Sequence, residues 1–119
     1  MRAKDGLGQY GENVAVEHLR DAGLTILDRN WRCDIGEIDI VARDGKTLVV
    51  CEVKTRRGAE FGSPLEKVTP DKAERLRRLA ARWIAQAGIH PLDVRIDIVG
   101  VVRSRRGAAQ VEHVRGAVW

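Results

Sequence analysis

The chain has 119 residues, 44% hydrophobic and 32% charged, which predicts one soluble, globular domain over residues 1–119 rather than a disordered chain. Lys and Arg number 21 against 17 Asp and Glu, a net charge of +4, and 16 of the 21 are Arg, a balance that leans toward a polyanionic partner. No apolar run approaches the ~20 residues of a membrane span, and Met1 to Asp5 leads into no apolar signal core, so a cytoplasmic protein without membrane contact is expected.

The first predicted element is a helix over residues 8–22, with Gly23 as its stop. Ala15, Val16, Leu19 and Ala22 form one stripe at helical spacing. One turn earlier that stripe reaches Glu12. A carboxylate on an inward stripe is unusual, because burying an unpaired charge is costly. The plainer reading is a solvated or capping residue near the helix start. Residues 24–28 read as a short strand, and Arg29-Asn30-Trp31-Arg32 as a loop or bulged strand. Residues 37–43 alternate polar with apolar, Asp44-Gly45 signals a two-residue turn, and residues 47–55 form a β-branched strand.

A Gly-containing loop then runs to Val68. Thr69 caps a second helix, with Pro70 at its first position, Ala87 near its end and Gly88 as its stop. Ala73, Leu76, Ala80, Trp83, Ile84 and Ala87 should be its buried face, and Lys72, Arg75, Arg78 and Arg82 a more polar one. Residues 94–102 are a strand, 103–107 a basic turn and 111–114 a weaker strand. Helix, three strands, helix, two strands predicts an α/β domain: a mixed central sheet flanked by helices. Cys51, inside an apolar run, reads as a small buried side chain. His18, His90 and His113 are far apart in sequence and give no support for a zinc cluster.

The hairpin carries the chemistry. With Asp44-Gly45 as its turn, Asp39 lies opposite Val50 and Glu37 opposite Glu52, so Asp39, Glu52 and Lys54 project to one side. Asp39 and Glu52 are then diagonal neighbours ~7–8 Å apart at the backbone, close enough for both carboxylates to reach one ion. A salt-bridge ladder on a solvated face is the alternative. Against it, Val41, Leu48 and Val50 share that face, and charges on an apolar face tend to be paired or metal-bound. Two hard oxygen ligands suit Mg²⁺ or Mn²⁺, and a neighbouring lysine suits phosphodiester hydrolysis.

Asp39 followed by Glu52-Val53-Lys54 resembles the PD-(D/E)xK nuclease motif, although Ile38 stands where that motif has its proline. The surrounding words are more specific. Gly11-Glu12 with Ala15, Arg29-Asn30-Trp31-Arg32, Gly36-Glu37-Ile38-Asp39-Ile40-Val41-Ala42, Cys51-Glu52-Val53-Lys54-Thr55-Arg56, Phe61-Gly62 and Arg95-Ile96-Asp97-Ile98-Val99 occur in that order. Over nearly the whole chain this is similar to the YraN-like family of bacterial proteins, which itself resembles archaeal Holliday junction resolvases. The resemblance implies a restriction-endonuclease-like fold. It also implies that Asp39 and Glu52 ligate the metal, with the Val53 carbonyl as a third ligand. Lys54 would position or activate the water, and Glu12 would complete the catalytic set.

Beside this site, Arg29, Arg32, Arg56, Arg57, Lys67, Lys72 and Arg75 are candidates for phosphate contacts, or for ordinary solvated charge. Arg95 and Asp97 read alternatively as a structural pair, and Trp83 as core rather than a stacking platform. The expected function is a metal-dependent endonuclease acting on branched or junction DNA, by shape. A homodimer is expected because a junction needs two cuts. The competing readings are a non-catalytic nucleic-acid-binding module of nuclease fold in DNA repair or uptake, and an interaction partner whose charge cluster is structural.

Overall fold

The structure, a computed structural model, describes residues 6–58 and 68–118. Phe61, Gly62, Lys67 and Trp119 lie outside the described residues. Among the described residues two helices, α1 (Gly6–Asp21) and α2 (Pro70–Ala87), flank a five-stranded sheet. The strands are β1 (Thr25–Cys33), β2 (Gly36–Asp44), β3 (Thr47–Arg56), β4 (Asp93–Val102) and β5 (Gln110–Val118), neighbours in chain order. All pairs are antiparallel except β3 and β4, which are parallel and joined through α2. This is the mixed α/β sheet that the element order predicts.

The apolar pattern decides which helix covers which face. Ala15, Val16 and Leu19 of α1 pack on Ile40, Ala42, Val49, Cys51, Val99 and Val101. Leu76, Leu79, Ala80 and Trp83 of α2 pack on Val41, Leu48, Val50 and Ile96. With both faces covered, the middle strands need apolar residues at nearly every position, and β3 has them from Leu48 to Cys51. Burial accordingly pushes the Cys51 thiol well above its ordinary pKa. At Gly11, α1 comes close to β3. A Cβ there would overlap the Thr55 hydroxyl and lie 2.7 Å from Thr55 Cβ and Cγ2.

Helix α2 starts and stops where its sequence predicts. Thr69 Oγ1 accepts from the Lys72 N–H at 3.2 Å, and Gly88 closes the helix at φ 69° with its N–H on the Ile84 carbonyl. Its inward stripe is Leu76, Leu79, Ala80 and Trp83, at spacings of three and four. Leu79 therefore joins the core. Ala87, expected on that face, is exposed in the last turn. Trp83 is buried and donates from Nε1 to Asp28 Oδ2 at 3.0 Å, so it is core.

The β2–β3 hairpin departs from the expected register. Asp44 pairs with Thr47, leaving Gly45 and Lys46 as the loop, and Val41 rather than Asp39 faces Val50. Gly45 takes φ 61° at the first loop position, as a type II′ turn requires. The sequence Asp-Gly suggested the other primed turn, one step back along the chain. Because the shift is an even number of residues, the alternation of faces survives.

Strand β1 runs on through residues 29–32. A register shift between Ile26 and Asp28, and φ 53° at Asn30, account for its irregular pattern. Strand β5 is likewise longer than residues 111–114. Its apolar pattern is interrupted because it bulges opposite Asp97, with Gly116 at φ 63°.

Candidate active site

The site is built where β2 leaves β3. Their ladder ends at Ile40–Cys51, and the next step would bring Asp39 level with Glu52. Instead of meeting a β2 carbonyl, the Val53 N–H donates to Asp39 Oδ2 at 2.8 Å. The carboxylate thus takes a ladder position, and the two strands part. A cleft of about 250 Å³ opens between them, lined by Asp39 and Glu52 from the strands and by Arg75, Leu76 and Leu79 from α2. Both carboxylates therefore border one space, on the side of the sheet that α2 covers. The Val53 side chain packs into the opposite core, beside α1.

Two ammonium groups meet Glu52. Lys72 Nζ lies 2.8 Å from Glu52 Oε1, and Lys54 Nζ 3.8 Å from the same oxygen. Burial, with the adjacent Lys72, holds the Lys54 ammonium below lysine's ordinary pKa. Burial alone would do the same to Lys72, but its hydrogen bonds with Glu52 and Lys54 raise it. Glu52 Oε2 is buried and has no hydrogen-bond partner. Such an oxygen costs free energy unless something completes it. A hard divalent cation fits that need and the carboxylate chemistry of the pair. Among the described residues no three His, Cys, Asp or Glu side chains gather closely enough to hold one ion. Two carboxylates with waters in the other positions is the habit of Mg²⁺.

Glu12 is fully buried on the α1 side. Its Oε1 receives Arg29 Nη2 at 2.6 Å, Arg29 Nε at 2.8 Å and Asn30 Nδ2 at 3.0 Å. This is how the inward stripe tolerates a charge. Asn30 ties it to the acidic strand. Arg29 pairs with Ile40 and Trp31 with Ile38, so Asn30 falls opposite Asp39. Its positive φ interrupts the alternation of β1, and Arg29 and Asn30, consecutive residues, both reach α1. Asn30 Oδ1 is buried without a hydrogen-bond partner. Pattern and spacing alone do not single out Asn30. Asparagine's tolerance of the left-handed region, inside a strand word, is the signal that was available.

The other basic candidates divide by surroundings. Arg29 is engaged with Glu12 and with Asn13 Oδ1 at 2.7 Å, and Lys72 with Glu52. Arg75 is exposed at the cleft, and Arg32 is exposed with Nε 3.3 Å from Glu37 Oε2. Arg57 is exposed and Arg56 half-buried at the end of β3.

A second polar cluster lies on the α1 face. Asp97 is fully buried and takes two hydrogen bonds from Arg95, at 2.9 and 3.1 Å, and one from the Gly116 N–H at 2.9 Å. The pair suggested by the sequence is thus present. His113 Nε2 lies 2.8 Å from Asp97 Oδ2, and His113 Nδ1 lies 3.1 Å from His18 Nε2. Burial by itself would raise the Asp97 carboxyl, yet His113, Arg95 and Gly116 together hold it below its ordinary pKa. The cluster fastens α1, β4 and β5 to one another. Two of the histidines that look isolated in sequence are neighbours here.

The chain is 60% identical over 117 residues to a UPF0102 protein of Kineococcus radiotolerans, covering 98% of this chain and 96% of that one. It is 62% identical over 118 residues to a UPF0102 protein of Streptomyces coelicolor, covering 98% and 91%. Among solved structures it is similar to Archaeoglobus fulgidus Hjc, a Holliday junction resolvase from an archaeal hyperthermophile, at TM-score 0.45 and 20% identity over 87% of this chain and 74% of that one. The family described as uncharacterised protein family UPF0102 matches residues 11–101, and the chain belongs to that family.

Proposed function

We propose that this chain is a metal-dependent endonuclease, a restriction-endonuclease-like domain over residues 1–119 that hydrolyses phosphodiester bonds of branched or junction DNA with Mg²⁺ or Mn²⁺. One observation carries the reading: Asp39 and Glu52 border one cleft, a Glu52 oxygen is buried there without a partner, and two lysines stand against the same carboxylate. Asp39 and Glu52 would hold the ion, with the Val53 carbonyl as a third ligand. When bound, the ion polarises a phosphoryl oxygen and lowers the pKa of a water.

The remaining work falls to the chain itself. Val53 N–H fixes the Asp39 carboxylate. Lys54, its pKa lowered, aligns the attacking water and meets the charge that develops on the phosphate. Glu12, held by Arg29 and Asn30 of β1, the strand paired with the one that carries Asp39, would complete the catalytic set as a positioning residue acting through β1. Arg32, Arg56, Arg57 and Arg75 take the flanking phosphates, contacts that position DNA without reading bases. Two such chains would make the paired cuts a junction needs, so we propose a cytoplasmic homodimer. Among the described residues no helix is long and apolar enough to cross a membrane.

One feature favours the second reading, a non-catalytic nucleic-acid-binding module: Lys72 Nζ stands 2.8 Å from Glu52 Oε1, close enough to serve as its counter-ion. Labelled four-way junction, flap, single-stranded and linear duplex DNA separate the two. With Mg²⁺ or Mn²⁺ the junction should be cut, and chelator, Asp39→Asn or Lys54→Ala should abolish cutting. Cleavage that survives both substitutions refutes the site. Tight junction binding without cleavage under either metal establishes the second reading.

A further inference from the structure

Lys72 stands closer to Glu52 Oε1 (2.8 Å) than does Lys54 (3.8 Å), although Lys54 is only two residues from Glu52 on the same strand. We propose that Lys72 is a built-in counter-ion that competes with the divalent metal for Glu52 and, once displaced, positions the substrate phosphate. This rests on the metal-site reading above.

The geometry supports each half. Both side chains are largely covered, at 18% and 17% exposure, so the Glu52 charge needs a partner when no metal is present. A divalent ion would need the same carboxylate. Three cations on one carboxylate repel each other, and Lys54 at 3.8 Å is already beyond hydrogen-bond reach of Glu52 Oε1, whereas Lys72 at 2.8 Å occupies it. Lys72 makes the contact that a metal must displace. Its backbone is pinned by the Thr69 cap at the first turn of α2, but its four-carbon stem can swing without moving the helix. Arg75, nearly one turn along α2, already lines the cleft. An ammonium displaced from Glu52 toward a guanidinium makes a place for an anion, and a DNA phosphate is the anion at hand. The lysine thus exchanges a carboxylate partner for a phosphate when the metal binds.

The test is calorimetric titration of Mn²⁺, without nucleic acid, into wild type, Lys72→Met, Lys72→Gln, Lys72→Arg, Glu52→Gln and the Glu52→Gln/Lys72→Met double variant. Removing a partly screened opposing charge should tighten Mn²⁺ binding by about ten-fold in Lys72→Met and Lys72→Gln. Lys72→Arg keeps the charge and should stay near wild type. The gain should vanish in the double variant. Junction binding by Lys72→Met in Mn²⁺, followed by anisotropy, should weaken several-fold with a shallower salt dependence. Unchanged or weaker Mn²⁺ affinity in both neutral variants overturns the inference while the metal site stands. A gain that persists without Glu52 also overturns it. Absence of Mn²⁺ binding in wild type and neutral variants alike overturns the metal-site reading, and this inference with it.

Discussion

Gly11→Ala tests whether the seat of α1 on β3 is as tight as the structure has it. The added Cβ would overlap the Thr55 hydroxyl and sit 2.7 Å from Thr55 Cβ and Cγ2. Rotating the Thr55 side chain moves the hydroxyl and the methyl but not Cβ, so backbone has to shift. Overpacking of this kind costs about 1–3 kcal/mol, and contact with an immovable atom puts it near the top of that range. Alanine in a helix interior returns about 0.5–1 kcal/mol over glycine, acting in the opposite direction. The net expectation is a loss of about 2 kcal/mol. Urea denaturation should show a lower midpoint at unchanged slope. In a Thr55→Gly background, which removes all three opposing atoms, Gly11→Ala should cost little or nothing. A Gly11→Ala protein as stable as wild type, or more so, refutes the close approach. The change also bears on the site, because the displaced residue neighbours Glu12.

Thr69→Ala removes the side-chain acceptor for the Lys72 N–H and should cost about 1 kcal/mol in the same denaturation assay. Stability should also fall with pH through the histidine range. Burial, His113 and Arg115 hold His18 below its ordinary value of 6.5, against the opposing pull of Asp21. Below that value the unfolded chain binds the proton more readily than the folded one. The His18 contribution is therefore complete above about pH 6.5 and declines as pH drops from there. His18→Gln should flatten the melting temperature measured between roughly pH 7 and pH 5. An equally steep decline in the variant would remove His18 as the cause.

Local chemistry made much of this legible in the sequence. Thr69-Pro70 and Gly88 set both ends of α2, because capping and a left-handed stop are decided by a few residues. Glu12 was visible as a charge on an apolar stripe. Its partners were not, because Arg29 and Asn30 reach it through a backbone irregularity that no period reports. Parity puts Asp39 and Glu52 on one side, and it holds because the register differs by two residues, with Val41 rather than Asp39 facing Val50. The parting of β2 from β3 was beyond that reasoning, since it depends on a side chain standing in for a ladder partner. Lys72 looked like a polar-face residue because its contact with Glu52 crosses from helix to sheet. His18 and His113 are brought together only by the packing of α1 on β5's side of the sheet.

The proposed activity requires that Asp39 and Glu52 hold one divalent ion. Iron-mediated backbone cleavage reads this directly: Fe²⁺ replaces Mg²⁺, and with ascorbate and hydrogen peroxide it cuts the polypeptide beside the ion. Fragments should end near Asp39 and Glu52, be suppressed by excess Mg²⁺ and be lost in Asp39→Asn. Cuts clustered instead around Asp97 and His113, or unchanged by Asp39→Asn, would contradict it.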